Sequence, residues 1–150
     1  MRDMYHFHAS IHARPDDCQP GPPFVDSGRS FATCTISPEW LGRSALARSF
    51  EEVSADLAQL QRMFIEPDGS FVWVSSHQEQ SWQVDGNLYD HQERVRLVDV
   101  KGSCPRQRFD QLLRALGWPR TQLVFQLVRA AVFLDEAEFR RWAALQQGET

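Results

Sequence analysis

The sequence predicts an α+β fold: a single domain with a mainly antiparallel sheet of about four to six strands flanked by helices, in the order α-βββ-α-β-α. Apolar and polar residues alternate from Trp82 to Lys101, which is typical of paired, half-buried strands. Between Phe50 and Phe64 the apolar residues recur at helical spacing, which indicates an amphipathic helix. A length of 150 residues with 42% hydrophobic residues suits one domain with its own core.

Residues 1–36 are expected to form an extended, proline-rich N-terminal arm, because they show little periodicity and contain several prolines and glycines. Within this arm, His6, His8 and His12 have the spacing H-x-H-x3-H, which could bind Zn²⁺ or Ni²⁺ if Cys18 folded back toward them. The alternative is a flexible terminus whose histidines bind no metal.

Residues 37–147 are predicted to form the α+β domain, followed by a frayed tail at 148–150. Ser49 and Glu52 fit a capping box, in which a serine and a glutamate satisfy the first backbone N–H groups of a helix. Capping, turn and periodicity patterns predict these elements in order: a helix at 38–47, a helix at 50–63, a hairpin turn at 66–70, strands at 82–89 and 97–101, a helix at 105–116, strands at 122–128 and 132–134, and a helix from 135.

Burial predicts how the two central strands pair. If Val84 and Val100 share one apolar face of an antiparallel pair, they lie close together, and Asp85 then lies near Asp99 on the polar face. A loop of about three residues, such as 91–93, suits this register, whereas a two-residue turn does not.

This register places two carboxylates and one ammonium group together, those of Asp85, Asp99 and Lys101. The carboxylates could hold Mg²⁺ while the lysine orients or deprotonates an attacking water. These residues resemble the PD-(D/E)xK nuclease superfamily, whose core is usually a helix, three antiparallel strands, a helix and a strand. The resemblance covers residues 50–128. It implies metal ligands at Asp85 and Asp99, a catalytic Lys101, and phosphodiesters as substrates.

By the same resemblance, Glu51 or Glu52 is an occasional helical acid. Lys101 is the only lysine among 16 basic residues, and unlike arginine a lysine can lose its proton near neutral pH, which favours a chemical role. The alternative is an exposed cross-strand ion pair that contributes less than about 1 kcal/mol.

Charge is distributed unevenly, although the net value is only −4. Residues 50–93 contain nine acids and one base, whereas residues 94–129 contain eight bases and two acids. A basic surface for phosphates would place nucleic acid near Arg106, Arg108 and Arg114. In the alternative interpretation the two segments neutralise each other within the fold.

The three cysteines, Cys18, Cys34 and Cys104, are widely spaced and include no C-x-x-C pair, which predicts reduced thiols rather than a disulfide framework or a zinc knuckle. Cys104 precedes a predicted helix, where it is either a nucleophile or a capping or buried thiol. No apolar run has membrane-spanning length and the first residues do not resemble a signal peptide, so we expect a cytoplasmic protein.

The order of elements also resembles that of small acidic type III secretion chaperones, dimers that hold partner segments in extended form. Because no complete catalytic set is evident, the preferred hypothesis is a non-enzymatic binding or interaction domain with an unknown protein partner, no cofactor and a possible homodimer. Its aromatic anchors, if exposed, would come from four tryptophans: Trp40, Trp73, Trp82 and Trp118.

Overall fold

A computed structural model describes residues 4–43 and 45–147. Within these ranges the elements are β1 (Met4–Ala13), β2 (Gln19–Pro20), β3 (Phe24–Asp26), β4 (Arg29–Phe31), β5 (Cys34–Thr35), α1 (Pro38–Arg43), α2 (Phe50–Ala58), β6 (Met63–Ile65), β7 (Ser70–Val74), β8 (Gln83–His91), β9 (Arg94–Pro105), α3 (Arg106–Ala115), β10 (Leu123–Leu127), β11 (Phe133–Asp135) and α4 (Glu136–Leu145).

Strand residues clearly outnumber helical residues in this structure, so the predicted α+β fold with four to six strands is wrong. Nine strands form one antiparallel sheet in the order β2-β5-β11-β10-β1-β9-β8-β7-β6, and β3 pairs with β4 in a separate hairpin. The four helices of the described residues are short. The strand count was too low mainly because the first 36 residues supply five strands that the prediction left out.

Strand β1 lies in the middle of the sheet, which contradicts the predicted N-terminal arm. It pairs with β9 along one side and with β10 along the other. Phe7, Ala9 and Ile11 are buried, and the histidines and serine between them face the opposite side. This alternation is present in the sequence, but the prolines that begin at Pro15 made the whole segment resemble a linker.

The two faces of the sheet differ. On the helix-covered face, α2, α3 and α4 pack against apolar residues from every long strand, and the ring of Phe139 stacks on Phe125 at 4.4 Å and on Phe109 at 5.7 Å. Within the described residues, no helix packs over the β1 and β6–β9 portion of the other face, and we call that portion the open face. Its residues are, in chain order, His6, His8, Ser10, Phe64, Ser70, Val72, Val74, Gln83, Asp85, Asn87, Tyr89, Leu97, Asp99, Lys101 and Ser103.

The central hairpin has a different register from the predicted one. Val84 lies opposite Gly102, and Asp85 lies opposite Lys101, a shift of two residues. Strands β8 and β9 are joined by the two-residue turn Gln92–Glu93, in which both residues have positive φ, and the pairing is irregular after Tyr89. Because a two-residue shift leaves every side chain on its original face, burial could not distinguish the two registers.

Local signals placed several helices and turns correctly. The Ser49 side chain accepts from the Glu52 N–H, and the Glu52 carboxylate accepts from the Ser49 N–H, so the predicted capping box is confirmed. Helix α4 begins at Glu136, next to the predicted start at 135, and the Asp135 side chain caps it. Helix α2 ends at Ala58 rather than Met63, since Met63 begins β6, and α1 ends at Arg43 rather than Ala47. The predicted tail at 148–150 lies outside the described residues.

Candidate functional site on the open face

The open face is built from cross-strand rows, because antiparallel partners direct their side chains to the same side. One row crosses five strands from the sheet edge: Phe64 opposite Val72, Val72 opposite Asp85, Asp85 opposite Lys101, and Lys101 opposite His8. A parallel row contains Ser70, Asn87, Asp99 and Ser10. The face therefore changes from apolar at β6 and β7 to charged at β8 and β9.

The structure brings the three predicted site residues onto one surface. Asp85 faces Lys101 directly, and Asp99 is the diagonal neighbour of Asp85, two residues before Lys101 on β9. Asp85 and Lys101 are exposed, and the Asp85 carboxylate accepts a hydrogen bond of 2.9 Å from Gln83 Nε2. Neither Asp85 nor Lys101 has an ion-pair partner within 4.0 Å among the described residues.

In residues 4–43 and 45–147, no cluster of three or more His, Cys, Asp or Glu side chains could hold a metal ion. The three predicted metal ligands His6, His8 and His12 do not form a cluster, because all lie along the extended strand β1. The four residues from His8 to His12 place these two roughly 13 Å apart. His12 is 4% exposed and lies edge-on to the ring of Phe133 at 5.9 Å. Burial lowers the pKa of His12 to about 4.

The other residues predicted for a nuclease site lie away from Asp85, Asp99 and Lys101. Glu51 and Glu52 belong to α2 on the helix-covered side, where Glu52 serves as a cap. The three arginines proposed for nucleic acid all lie on α3, which also covers that side: Arg106, Arg108 and Arg114. The sheet thus separates the arginines from the carboxylates, and the two sets do not form one phosphate-binding surface.

Arg108 and Arg114 also have partners within the fold. Arg108 Nε lies 3.1 Å from Glu79, and the guanidinium of Arg114 lies 5.6 Å from the centre of the Trp118 ring. Desolvation raises the pKa of Glu79, but hydrogen bonds from Arg108, the Ser76 N–H and Trp82 outweigh it and lower this pKa to about 2. This contact agrees with the interpretation in which acidic and basic segments neutralise each other.

The apolar part of the open face was missed by the sequence reasoning. Phe64 is 60% exposed, Val72 39% and Tyr89 46%. These residues lie on β6, β7 and β8, the last three strands of the sheet, of which β6 forms the edge. Phe64 had been assigned to the apolar stripe of a helix. The hairpin turn at 66–70 was the available signal, because it requires a strand immediately before it.

The tryptophans do not form an exposed cluster. Trp73 and Trp82 are buried in a T-shaped contact at 5.0 Å, Trp118 is half-buried, and Trp40 is exposed. Cys104 is fully buried, and burial raises the pKa of its thiol, so the predicted alternative of a buried thiol is confirmed. The aromatic residues available for contact on the open face are therefore Phe64 and Tyr89.

A cleft of about 470 Å³ lies on the helix-covered side and is lined by Arg106, Trp118 and Arg140, among others. The Arg140 guanidinium lies 2.8 Å from both Asp110 and Glu136, and it stacks over Trp118 at 5.3 Å. Two carboxylates thus match the charge of Arg140, which is only 15% exposed. This arrangement joins α3 to α4, and we interpret it as structural.

The chain order α2, β6–β9, α3, β10 contains the helix, strands, helix and strand of the nuclease core, but it has four strands in place of three. In addition, β1 lies between β9 and β10. No protein-family model matches the chain, and the searches of curated proteins and of solved structures find no significant relative. No described helix is long and apolar enough to cross a membrane.

Proposed function

We propose that this protein is a non-enzymatic interaction domain that binds a protein partner through the open face. The observation that carries the proposal is the exposed apolar row of Phe64 and Val72 on a sheet face that no described helix covers; Tyr89 is exposed farther along the same face. Aromatic and aliphatic side chains surrounded by polar groups are the usual composition of a protein-binding surface.

The neighbouring residues define the chemistry of the partner. Phe64 and Val72 accept an apolar side chain, and Asp85 and Lys101, next in the same row, favour a basic and an acidic group beside it. Strand β6 ends the sheet, so its backbone is accessible to an extended segment that adds a strand. The fitting partner is a protein segment that presents an apolar side chain to Phe64 and Val72 and a basic and an acidic group on the side of Asp85 and Lys101.

Site-specific photocrosslinking in the native cell tests this proposal. A benzophenone amino acid is placed at Val72 or Tyr89 on the open face and, as a matched control, at the exposed Gln107 on α3. We expect adducts of the same mass from Val72 and Tyr89, none of that mass from Gln107, and loss of the adducts in Phe64→Asp. Adducts that also form from Gln107, or that persist in a folded Phe64→Asp, would contradict the proposal.

A second candidate is Mg²⁺-dependent phosphodiester cleavage. The exposed Asp85 and the half-buried Asp99 on adjacent strands favour it, with Lys101 opposite the first. Mg²⁺ is often held by one or two carboxylates together with substrate phosphates, so two ligands are a sufficient protein contribution. Calorimetry with Mg²⁺ or Mn²⁺ in the presence of an uncleavable oligonucleotide tests it: the Asp85→Asn/Asp99→Asn double variant should lose metal binding. Equal binding to both proteins would exclude this candidate.

A further inference from the structure

Two of the three cysteines lie side by side at the outer edge of the sheet. Strands β2 and β5 pair there, with Pro20 opposite Cys34, and Cys18 comes two residues before Pro20. In an extended chain this spacing directs the thiols of Cys18 and Cys34 to the same side of the ladder. The two thiols are neighbours, both are partly exposed, and the guanidinium of Arg14 lies beside Cys18.

We propose that Cys18 and Cys34 form a reversible disulfide by exchange with a low-molecular-weight disulfide, and that this bond closes the loop carrying the β3–β4 hairpin. Diagonal neighbours on a ladder lie roughly 7 Å apart, and a disulfide requires Cα atoms within about 6.8 Å. Cys18 lies outside β2, so a small movement of its backbone toward β5 is enough.

The exchange proceeds in two steps. The Cys34 thiolate attacks the small disulfide, forms a mixed disulfide and releases one thiolate, which takes up the proton that Cys34 lost. The Cys18 thiolate then attacks the Cys34 sulfur and releases the second small thiolate, which takes up the proton that Cys18 lost. Two protein thiols are oxidised and one small disulfide is reduced to two thiols. Cys18 attacks second because burial and the neighbouring Cys34 raise its pKa to about 11, although Arg14 opposes this.

The bond would act on the hairpin between the two cysteines. This hairpin docks on α4: Arg141 lies 4.3 Å over the Phe31 ring and donates a hydrogen bond of 2.6 Å to the Ser30 carbonyl, and Trp142 Nε1 donates to Asp26 at 2.9 Å. Together the hairpin and α4 line a cavity of about 240 Å³. A disulfide between residues 18 and 34 would hold this docked arrangement.

Oxidised glutathione at mildly alkaline pH is the test, followed by alkylation of free thiols and mass spectrometry. In the folded protein we expect loss of two hydrogens, a cross-linked Cys18–Cys34 peptide, and a Tm roughly 5–10 °C higher than in the reduced protein, because the closed loop restricts the unfolded chain. Cys104→Ala, which leaves both edge thiols in place, should show the same loss of two hydrogens, the same cross-link and the same rise in Tm on oxidation as the wild type.

A variant without Cys18 tests the order of the two exchange steps. Cys18→Ser should stop at one glutathione adduct on Cys34 without a rise in Tm. The link should also form at least about tenfold faster in the folded chain than in urea, since the fold holds the thiols together. Equal rates in the two states, or a folded wild type that carries only glutathione adducts, would overturn the proposal.

Discussion

The two faces of the sheet are made by the same strands and yet behave as different surfaces. On β1, Phe7 is buried beneath α4 and packs on Phe139, whereas the next residue, His8, is exposed in the row of Lys101. Alternation along a strand therefore buries one set of residues in the core, where they stabilise the fold, and leaves the other set accessible for the proposed contact with a partner. Substitutions on the two faces should separate these roles.

The largest expected effect comes from a matched pair of phenylalanines. Phe139→Ala removes the ring that stacks on Phe109 and Phe125, and should lower the free energy of unfolding by about 3–5 kcal/mol. Phe64→Ala, on the open face, should change it by less than about 0.5 kcal/mol. Urea unfolding monitored by circular dichroism measures both values. Similar losses in the two variants would show that the open face is not free in the protein.

The next largest effect concerns His12. Its side chain points to the same side of the sheet as those of His8 and Ser10, but it is buried where β1 pairs with β10. An unfolded histidine binds its proton near pH 6.5, whereas burial lowers the pKa of folded His12 to about 4. Between these values the unfolded chain binds more protons, so stability should fall by about 3 kcal/mol as the pH is lowered through this range.

His12→Leu should remove this part of the pH dependence, and His8→Leu, which changes an exposed residue of the same strand, should retain it. Urea unfolding at pH 7 and at about pH 4.5 measures the difference. An unchanged pH dependence in His12→Leu would mean that other groups cause the acid destabilisation.

A smaller effect is expected from a pair of cationic residues. Arg140→Met leaves Asp110 and Glu136 without their guanidinium, which should cost about 2 kcal/mol because the group is largely buried. Lys101→Ala on the open face should cost less than about 0.5 kcal/mol. Thermal unfolding of both variants tests this. A loss in Lys101→Ala equal to that in Arg140→Met would indicate that Lys101 has a structural role.

The sequence predicts elements that depend on neighbouring residues better than it predicts which distant strands pair. Local signals were sufficient for the Ser49 capping box, the start of the last helix near Asp135 and the turn at 66–70. Alternation of apolar and polar residues was not sufficient to fix the pairing of β8 with β9, because a shift of two residues leaves every side chain on the same face of the sheet. The segment 1–36 was misjudged since its strands pair with residues far away in the sequence, and prolines dominated its local pattern.

The candidate site was predicted in part. Asp85, Asp99 and Lys101 do share one face, because the alternation that placed them there does not depend on register. Their apolar neighbours Phe64 and Val72 could not be found in the same way, since that contact exists only when β6, β7 and β8 are aligned.

The position of β1 also has a consequence for synthesis. Strand β1 pairs with β9 and β10, so it leaves the ribosome before either of its neighbours has been synthesised. During that interval its apolar side chains and both of its hydrogen-bonding edges are exposed, which makes the nascent chain prone to wrong pairing. We expect the yield of folded protein to depend on how long β1 stays without its neighbours.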